Sequence, residues 1–243
     1  MKVIKFFFLI FCVLVFFSRV VNAEEVEVEG KVKVNFLQGK IFSKGKLLAL
    51  GDILSPPVEV KVDKDSRLEL LLPDKSVLRF NENTKFKLVK ALVKENKREI
   101  KTDLILGECW ASVQKMIGDD NTFEISSPTA VAGVAGTKYR AIVNTDYSKF
   151  LVYDGKIKVG YRPVSEKYQM GKGFQAHRVQ GPMRIAGPKR VSVEEWTMIV
   201  ARGYEFVVYP DGRFDVPKKF DVKQDSQNPW VKWNQQRDKQ MGF

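Results

Sequence analysis

Two glycines in an uncharged stretch are the residues whose spacing first suggests chemistry. Gly133 and Gly136 lie in AVAGVAGT (130–137). A phosphate-binding P-loop needs four residues between its glycines and a Gly-Lys-Ser/Thr ending, whereas two residues separate this pair and the order is Gly-Thr-Lys. A dinucleotide-binding fingerprint leads into a helix, but residues 139–143 have the composition of a strand. We therefore expect the stretch to connect two strands, where small side chains let neighbouring backbones approach closely.

Neither the histidine nor the cysteine at position 109 has sequence neighbours that would complete a catalytic or metal site. His177 is the only histidine, and no zinc ligands or triad partners cluster near it. Cys109 alternates with Ala111 and Val113 in a predicted strand, which favours a small buried apolar residue over a reactive thiol. The sequence therefore predicts no metal site, no cofactor and no catalytic residue.

Four carboxylates are the remaining candidates for a hydrolase. They are Asp63, Asp65, Asp119 and Asp120. Asp119 and Asp120 lie in a Gly-Asp-Asp-Asn sequence, and these residue types are typical of turns. Turn formation explains the pair without catalysis, so an enzyme is the weakest of the function classes.

The amino-terminal residues predict an export signal. Lys2 and Lys5 precede the apolar run 6–17, and the stretch closes on Val21-Asn22-Ala23, which suits signal peptidase. A retained anchor is the weaker alternative, since the run is shorter than the ~20 residues that a helix needs to cross a membrane. We expect residues 1–23 to be removed and the mature protein to be periplasmic or secreted.

The charge of the chain predicts anionic neighbours. The formal net charge is +12; three of the positive charges lie in the predicted signal, which leaves +9 for the mature chain. Lipid headgroups, acidic glycans and acidic protein surfaces are the expected partner classes, and nucleic acid is not expected of an exported protein without a nucleic-acid motif. Lys85 and Lys87 lie in a basic run and are candidate contacts for an anionic surface; the alternative is a solvated edge strand.

Alternation of apolar and polar residues predicts an all-β domain. Val32, Val34 and Phe36 should face one way in a first strand, and Leu68, Leu70 and Leu72 in a later one. Asp154-Gly155 between two such runs predicts a hairpin. Short strands at roughly ten-residue spacing fill residues 24–190.

Residues 191–243 predict a small α/β appendage of helix, hairpin and helix. Ser192 and Glu195 fit a capping box, with the helix ending at Gly203. Pro210-Asp211-Gly212 predicts the turn of the hairpin. Asn228 and Pro229 suit the start of the final helix.

Two tryptophans in the predicted final helix have two interpretations. Trp230 and Trp233 share one side of that helix with Arg237. They pin the tail to the β domain, because aromatic rings bury large areas, or they form an exposed anchor for a partner, where tryptophan is often dominant. We keep both as candidate partner contacts.

The stretch FEISSPTAVAGVAGTKY (123–139) resembles the central motif of the FecR domain family, which occurs in periplasmic parts of iron-uptake signalling regulators and in stand-alone envelope proteins. Further segments agree with the family's order of motifs over roughly residues 30–180. They are LGDI (50–53), DSRLEL (65–70), PDKSVL (73–78), NTKF (83–86), LGECWA (106–111), VYDGKI (152–157) and GKGF (171–174).

The resemblance implies a fold and a role. It implies a β-solenoid-like or rolled antiparallel sheet domain in the envelope of a Gram-negative bacterium. It also implies a domain that binds another protein without catalysis, in which the shared residues are a structural motif. Those residues are Pro128, Thr129, Gly133, Gly136 and Thr137.

Two departures limit what the resemblance implies. Ala135 stands where the family usually has arginine, so a contact made by that arginine is not expected. The signalling regulators carry a cytoplasmic sigma-factor-binding segment before a membrane span, and five residues before the apolar run are too few for it. We expect a non-enzymatic envelope binding or scaffolding module; the alternative is an electrostatic binder of anionic cell-wall glycan or lipid.

Overall fold

The computed structural model describes residues 30–94, 97–115, 121–162 and 197–243. The predicted export signal, His177, the Asp119–Asp120 pair, GKGF (171–174) and the predicted capping box (192–195) lie outside the described residues. Within them, strands dominate and helices occur near the carboxyl terminus, which confirms the predicted mainly β class. In these four ranges, no helix is long and apolar enough to cross a membrane.

The described residues form seventeen strands and two helices. The strands are β1 (Val32–Gln38), β2 (Ile41–Ser43), β3 (Lys46–Leu47), β4 (Ile53–Leu54), β5 (Val58–Val62), β6 (Arg67–Leu71), β7 (Val77–Phe80), β8 (Thr84–Lys94), β9 (Lys97–Ser112), β10 (Asn121–Ser126), β11 (Ala130–Val134), β12 (Lys138–Val143), β13 (Ser148–Asp154), β14 (Lys156–Tyr161), β15 (Thr197–Ala201), β16 (Tyr204–Val208) and β17 (Lys218–Lys219). The helices are α1 (Val222–Asp225) and α2 (Pro229–Met241).

The strands pair in two open series that share β9. Sheet A has the order β4-β1-β6-β7-β9-β12-β13-β16-β17. Sheet B has the order β3-β2-β5-β8-β9-β10-β11-β14-β15. Every pair is antiparallel except β9 with β10, which is parallel, so the predicted antiparallel sheet is in fact mixed. The chain alternates between the two sheets, mostly by pairs of neighbouring strands.

The core lies between the inner faces of the two sheets. Leu68, Phe80 and Cys109 occupy one register across sheet A, and all three are buried. Phe80 stacks on Phe86 of sheet B with ring centroids 3.5 Å apart. Inward side chains from both sheets form one apolar cluster, as expected where alternate residues of half-buried strands point to the same side. Burial of this cluster provides the main stabilisation of the fold.

Two bulges change the predicted alternation. In β1 the register moves from Val34 opposite Leu70 to Phe36 opposite Glu69, so one extra residue turns Phe36 to the outer face. The prediction that Phe36 points the same way as Val34 was therefore wrong. A similar shift in β9 leaves Leu106 43% exposed. A bulge inserts one residue and thereby reverses the side on which later residues lie, and alternation alone does not reveal it.

Gly107 marks the point where β9 passes from sheet B to sheet A. Residues before it pair with β8 and β10, and residues from Gly107 onward pair with β12. Its φ is +99°, and a Cβ there would lie 2.6 Å from the Cα of Thr84. Only glycine adopts this conformation at such close approach without displacement of the neighbouring backbone.

Two predicted connections differ from what the structure contains. Asp154-Gly155 does not close a hairpin, because β13 pairs in sheet A and β14 pairs in sheet B; the positive φ of Gly155, +75°, serves a crossing between sheets instead. The stretch 130–137 was predicted to connect two strands, but Ala130–Val134 is itself β11 and pairs with β10 and β14. The flanking strands, β10 and β12, are confirmed.

The carboxyl-terminal elements confirm two predictions and correct one. The helix predicted up to Gly203 is wrong for Thr197–Ala201, which is β15 and pairs with β14; cross-strand pairing outweighs the local helix signals. The turn at 210–212 is present, followed by a bridge between Val208 and Phe214. The side chain of Asn228 accepts a hydrogen bond from the backbone of Trp230 and so caps α2.

Substitution of Gly107 tests the crossing of β9. We expect Gly107→Ala to lower the free energy of unfolding by about 2 kcal/mol or more, because a strained φ and a backbone clash coincide. The matched control is Gly133→Ala, whose Cβ would meet nothing closer than the carbonyl oxygen of Lys158 at 3.9 Å. Urea denaturation of both variants measures the difference; equal stability of the two would contradict this role of Gly107.

Candidate functional site

The outer face of sheet A carries a buried polar row. Glu69, Arg79, Trp110 and Arg140 lie opposite one another on β6, β7, β9 and β12. Outward positions of a sheet usually face water, yet Glu69 and Arg79 are both 0% exposed. The helices α1 and α2 cover this row, so it is an internal surface of the protein.

Four charged residues join α2 to sheet A; we call Glu69, Arg79, Arg237 and Asp238 the buried ion-pair cluster. Arg79 donates from Nε to Glu69 and from Nη1 to Asp238, each at 2.6 Å. Arg237 donates from Nη2 to Glu69 at 2.5 Å. The two positive and two negative charges balance within the cluster, which is what charges removed from water require.

Two neutral side chains also donate hydrogen bonds to the carboxylate of Asp238. Ser112 donates from Oγ at 2.7 Å and Trp110 from Nε1 at 3.2 Å. Asp238 thereby accepts from three different strand-borne side chains of β7 and β9. All of its visible contacts hold α2 in place, so the arrangement is structural rather than catalytic.

The pKa of Glu69 reflects this environment. Burial raises the pKa of Glu69, but hydrogen bonds from Arg237 and Arg79 and the charge of Arg79 together hold it below the ordinary value of 4.5. Glu69 is therefore an anion at neutral pH and not a proton donor. A depressed pKa of this kind belongs to an ion pair that stabilises the fold.

A second set of polar contacts joins α1 to the same face. Arg140 donates from Nε to Glu108 and from Nη1 to Asp225, the latter at 3.0 Å. The hydroxyl of Tyr153 donates to the other oxygen of Asp225. Burial, followed by the hydrogen bond and charge of Asp225, raises the pKa of Tyr153 above its ordinary value. These contacts also hold the carboxyl-terminal segment against sheet A.

Trp230 and Trp233 lie against the sheet. Trp230 is 3% exposed, and its ring stacks on that of Trp233 with centroids 5.2 Å apart. Trp233 contacts Phe36 at 5.3 Å, and the guanidinium of Arg67 lies 5.4 Å from the Trp233 centroid. For Trp230 the interpretation as an exposed anchor is therefore wrong, because its ring packs inward. Trp233 is half-buried, and its role as a partner contact stays a prediction.

The candidates for reaction chemistry are dispersed or buried. Cys109 is buried, and burial raises the pKa of its thiol well above the usual range, so it is a core residue as expected. Asp63 pairs with Lys61 at 2.8 Å, and Asp65 lies in an exposed turn. Among the described residues no group of three or more potential ligand side chains is close enough for a metal.

The motif residues of 128–137 occupy both ends of β11. Pro128 and Thr129 form the bend that precedes the strand, and Thr129 donates from Oγ1 to Ser148 at 2.6 Å. After the strand, Thr137 donates from Oγ1 to the carbonyl of Lys156 at 2.9 Å. At Gly136 a Cβ would lie 2.9 Å from the Cα of Lys115, so close backbone approach is real there.

Gly133 differs from the expectation for this motif. It pairs with Glu124 on β10 and Lys158 on β14, and a Cβ there would meet nothing within 3.9 Å. Close approach therefore does not explain Gly133. Its position is on the outer face of sheet B, where the missing side chain leaves space.

Lys85 and Lys87 also lie on the outer face of sheet B. Lys85 is opposite Lys61 on β5, and Lys87 is opposite Glu59. Phe42 and these lysines line a groove of about 510 Å³. In the described part of the chain neither lysine has an ion pair. The two residues share one groove, as their spacing on a strand predicts.

The buried ion-pair cluster was missed by the sequence reasoning. An alternating strand such as RLELL (67–71) places its charges on the side away from the core, and such charges normally face solvent. Nothing local shows that a helix about 160 residues later covers them, although Arg237 shares a helix side with two tryptophans. The shared helix side of Arg237 and the two tryptophans indicated that this side packs against something. The sequence pattern did not show which strand residues it contacts.

Breaking the buried ion-pair cluster should destabilise the protein strongly. We expect Asp238→Ala to cost about 3–5 kcal/mol, because it leaves Arg79 buried with half of its charge contacts removed. The control is Asp211→Ala, which removes an exposed pair with Arg213 and should change stability little. Thermal and urea unfolding measure both; a small effect for Asp238→Ala would contradict the structural role.

The depressed pKa of Glu69 predicts a pH dependence. Its contribution is fully present above the unfolded value near 4.5 and is lost as pH falls through the lower folded pKa. The variant Glu69→Gln lacks this pH-dependent contribution to stability. The stability gap between wild type and variant should therefore narrow on acidification, as measured by urea midpoints from neutral pH to about pH 3. A gap that stays constant would show that folding does not lower the pKa of Glu69.

One protein family and two solved structures are similar to this chain. The model of the family described as FecR protein matches residues 58–158. Two crystal structures of a putative anti-sigma factor from Parabacteroides distasonis ATCC 8503 are similar, at 16% and 15% identity and a TM-score of 0.46 each. Each match covers 69% of this chain, which spans 62% of the length of those chains. No curated protein matches. The resemblance identified from the sequence motifs is thus confirmed over residues 58–158, which match the FecR family.

Proposed function

We propose that this protein is a non-enzymatic module of the periplasm that binds another protein and takes part in signalling. The observation that carries the proposal is the FecR match over residues 58–158. This range begins at the first residue of β5 and ends within β14. It therefore includes the shared strand β9 and the motif strand β11, rather than a peripheral segment.

The chemistry of the described side chains supports a binding role. Buried charges such as Arg79 and Asp238 are consumed in contacts between α2 and sheet A. The thiol of Cys109 is enclosed in the core. Because these reactive groups have structural roles, we infer that the protein functions through its surfaces.

The export signal predicted at 1–23 supports a location outside the cytoplasm, periplasmic or secreted, and we propose the periplasm. Under this proposal the mature chain starts at Glu24. Its positive charge favours an acidic partner in the envelope, since opposite charges steer association and suppress wrong partners.

An alternative partner class is an anionic glycan or lipid. The observation that favours it is the groove with Lys61 and Lys85 directly opposite each other and Lys87 beside them. Like charges on neighbouring strands repel, and an anionic group between them would relieve that repulsion.

Crosslinking in the periplasm tests the proposal. The mature protein, tagged at its amino terminus and treated with an amine-reactive crosslinker in intact cells, should give one stoichiometric protein adduct. The double variant Lys85→Ala/Lys87→Ala should give the same adduct. Absence of a protein adduct, together with sedimentation on cell-wall fragments that weakens with salt and is lost in the double variant, would contradict protein binding and favour the alternative.

A further inference from the structure

The outer face of sheet B has a trough at Gly133. Glu124, Gly133, Lys158 and Ile199 lie opposite one another on four neighbouring strands, β10, β11, β14 and β15. Gly133 contributes no side chain, and the small residue Ala135, in the bend that follows β11, also lines the trough. The resulting cavity is about 400 Å³, and its exposed lining is mostly apolar.

The glycine at position 133 is not required by the backbone. Its φ lies outside the left-handed region, and an added Cβ would have ordinary contact distances. Glycine inside a strand weakens it, because glycine has greater freedom in the unfolded chain and no side chain to pack. The structural consequence of Gly133 is therefore the open trough itself, and a larger residue would fill it without disturbing its neighbours.

An exposed apolar wall adjoins the trough. Ile199 is 63% exposed, although isoleucine is among the residues most often buried. It stands two strands from Gly133, which places the two about 10 Å apart across the sheet. Both residues line the same cavity, so an apolar side chain of a partner that enters it meets apolar surface there. Apolar pockets at interfaces are where the anchor residues of a partner dock.

The charges beside the trough are positive. Lys156 and Lys158 on β14 are exposed and have no ion pair within the described residues. Glu124 lies opposite Lys101 on β9, whose pKa is raised first by its hydrogen bond to Glu99 and also by the charge of Glu124. The acidic side of the trough is thus compensated within the sheet, while the two lysines are available to a partner.

Charge complementarity selects the occupant. A second copy of this chain would bring Lys156 and Lys158 towards a molecule that also carries a large positive charge, since the whole chain has a formal net charge of +12. Like charges across an interface disfavour association. An acidic protein segment satisfies both the lysines and the apolar trough.

We propose that the trough at Gly133 binds an acidic segment of a partner protein, which inserts one apolar side chain between Glu124, Lys158 and Ile199. This inference rests on the proposed protein-binding function and names its surface. Lys156 and Lys158 contact the acidic residues that flank the inserted side chain. The buried face of sheet A takes no part.

Synthetic peptides test the chemistry of the occupant. The probe is a twelve-residue peptide with a central leucine flanked by glutamates; its twins carry lysines for the glutamates, or serine for the leucine. Binding to the mature protein is followed by amide chemical shifts in NMR. The glutamate peptide should shift the signals of Gly133, Ala135 and Ile199. Each of the two control peptides should bind at least about tenfold more weakly. Equal binding of the lysine and glutamate peptides, or shifts confined to other residues, would overturn the proposal.

Variants of the protein give the matched comparison. Gly133→Leu should abolish binding of the glutamate peptide by filling the trough, while the melting temperature stays close to that of the wild type. Lys156→Glu/Lys158→Glu should weaken binding about tenfold or more, whereas Lys85→Glu/Lys87→Glu, with the same change in net charge, should not. Should Gly133→Leu fail to fold, Gly133→Ala with the charge-reversal pair still tests the site.

Two further measurements separate this inference from the proposed function. In the crosslinking experiment, an adduct that forms equally with wild type and Gly133→Leu would overturn the trough as the binding surface and leave protein binding intact. Absence of any adduct would instead count against protein binding itself. Sedimentation velocity of the mature protein should show a monomer; a dimer that Gly133→Leu dissociates would assign the trough to a second copy and overturn the proposal.

Discussion

The pairing of Arg79 with Glu69 and Asp238 is the interaction that fixes the carboxyl-terminal segment. Arg79 and Glu69 are fully buried on sheet A, and their burial is tolerable because α2 supplies Asp238 and Arg237. Charges in a low-dielectric site need specific partners at specific distances, so α2 has little freedom in where it lies. Its tryptophans then contact Arg67 and Phe36, and the part of the outer face of sheet A around Glu69 and Arg79 is covered.

The two sheets share one core but differ in what lies across their outer faces. The chain alternates between sheets A and B, and β9 belongs to both because Gly107 allows it to bend where Thr84 is close. The inner faces consequently share one apolar core. The outer face of sheet B has no helix of the described residues across it, and there the missing side chain of Gly133 creates a recess beside the exposed Ile199.

The FecR match and the outer face of sheet B both support the proposed protein-binding role. The match covers β5 to β14 and so includes Gly133. The ion pairs of sheet A are occupied in holding helices, which argues for stability there rather than chemistry. The apolar recess over Gly133 and the lysines beside it, which have no ion pair among the described residues, fit the acidic partner that we propose, since charge complementarity sets specificity more than raw affinity.

The sequence by itself determined the mainly β class, the strands around 123–126 and 139–143, the cap of the final helix at Asn228 and the burial of Cys109. These follow from alternation, turn residues and capping, which act over a few neighbouring residues. Tertiary structure decided the rest: Phe36 turned outward at a bulge, Gly155 crossed between sheets, and Thr197–Ala201 became a strand by pairing with β14. The partnership of Glu69 with Arg237, and the recess over Gly133, arise from residues far apart in the chain. Local patterns specify which side of a strand is apolar, but not what covers its other side.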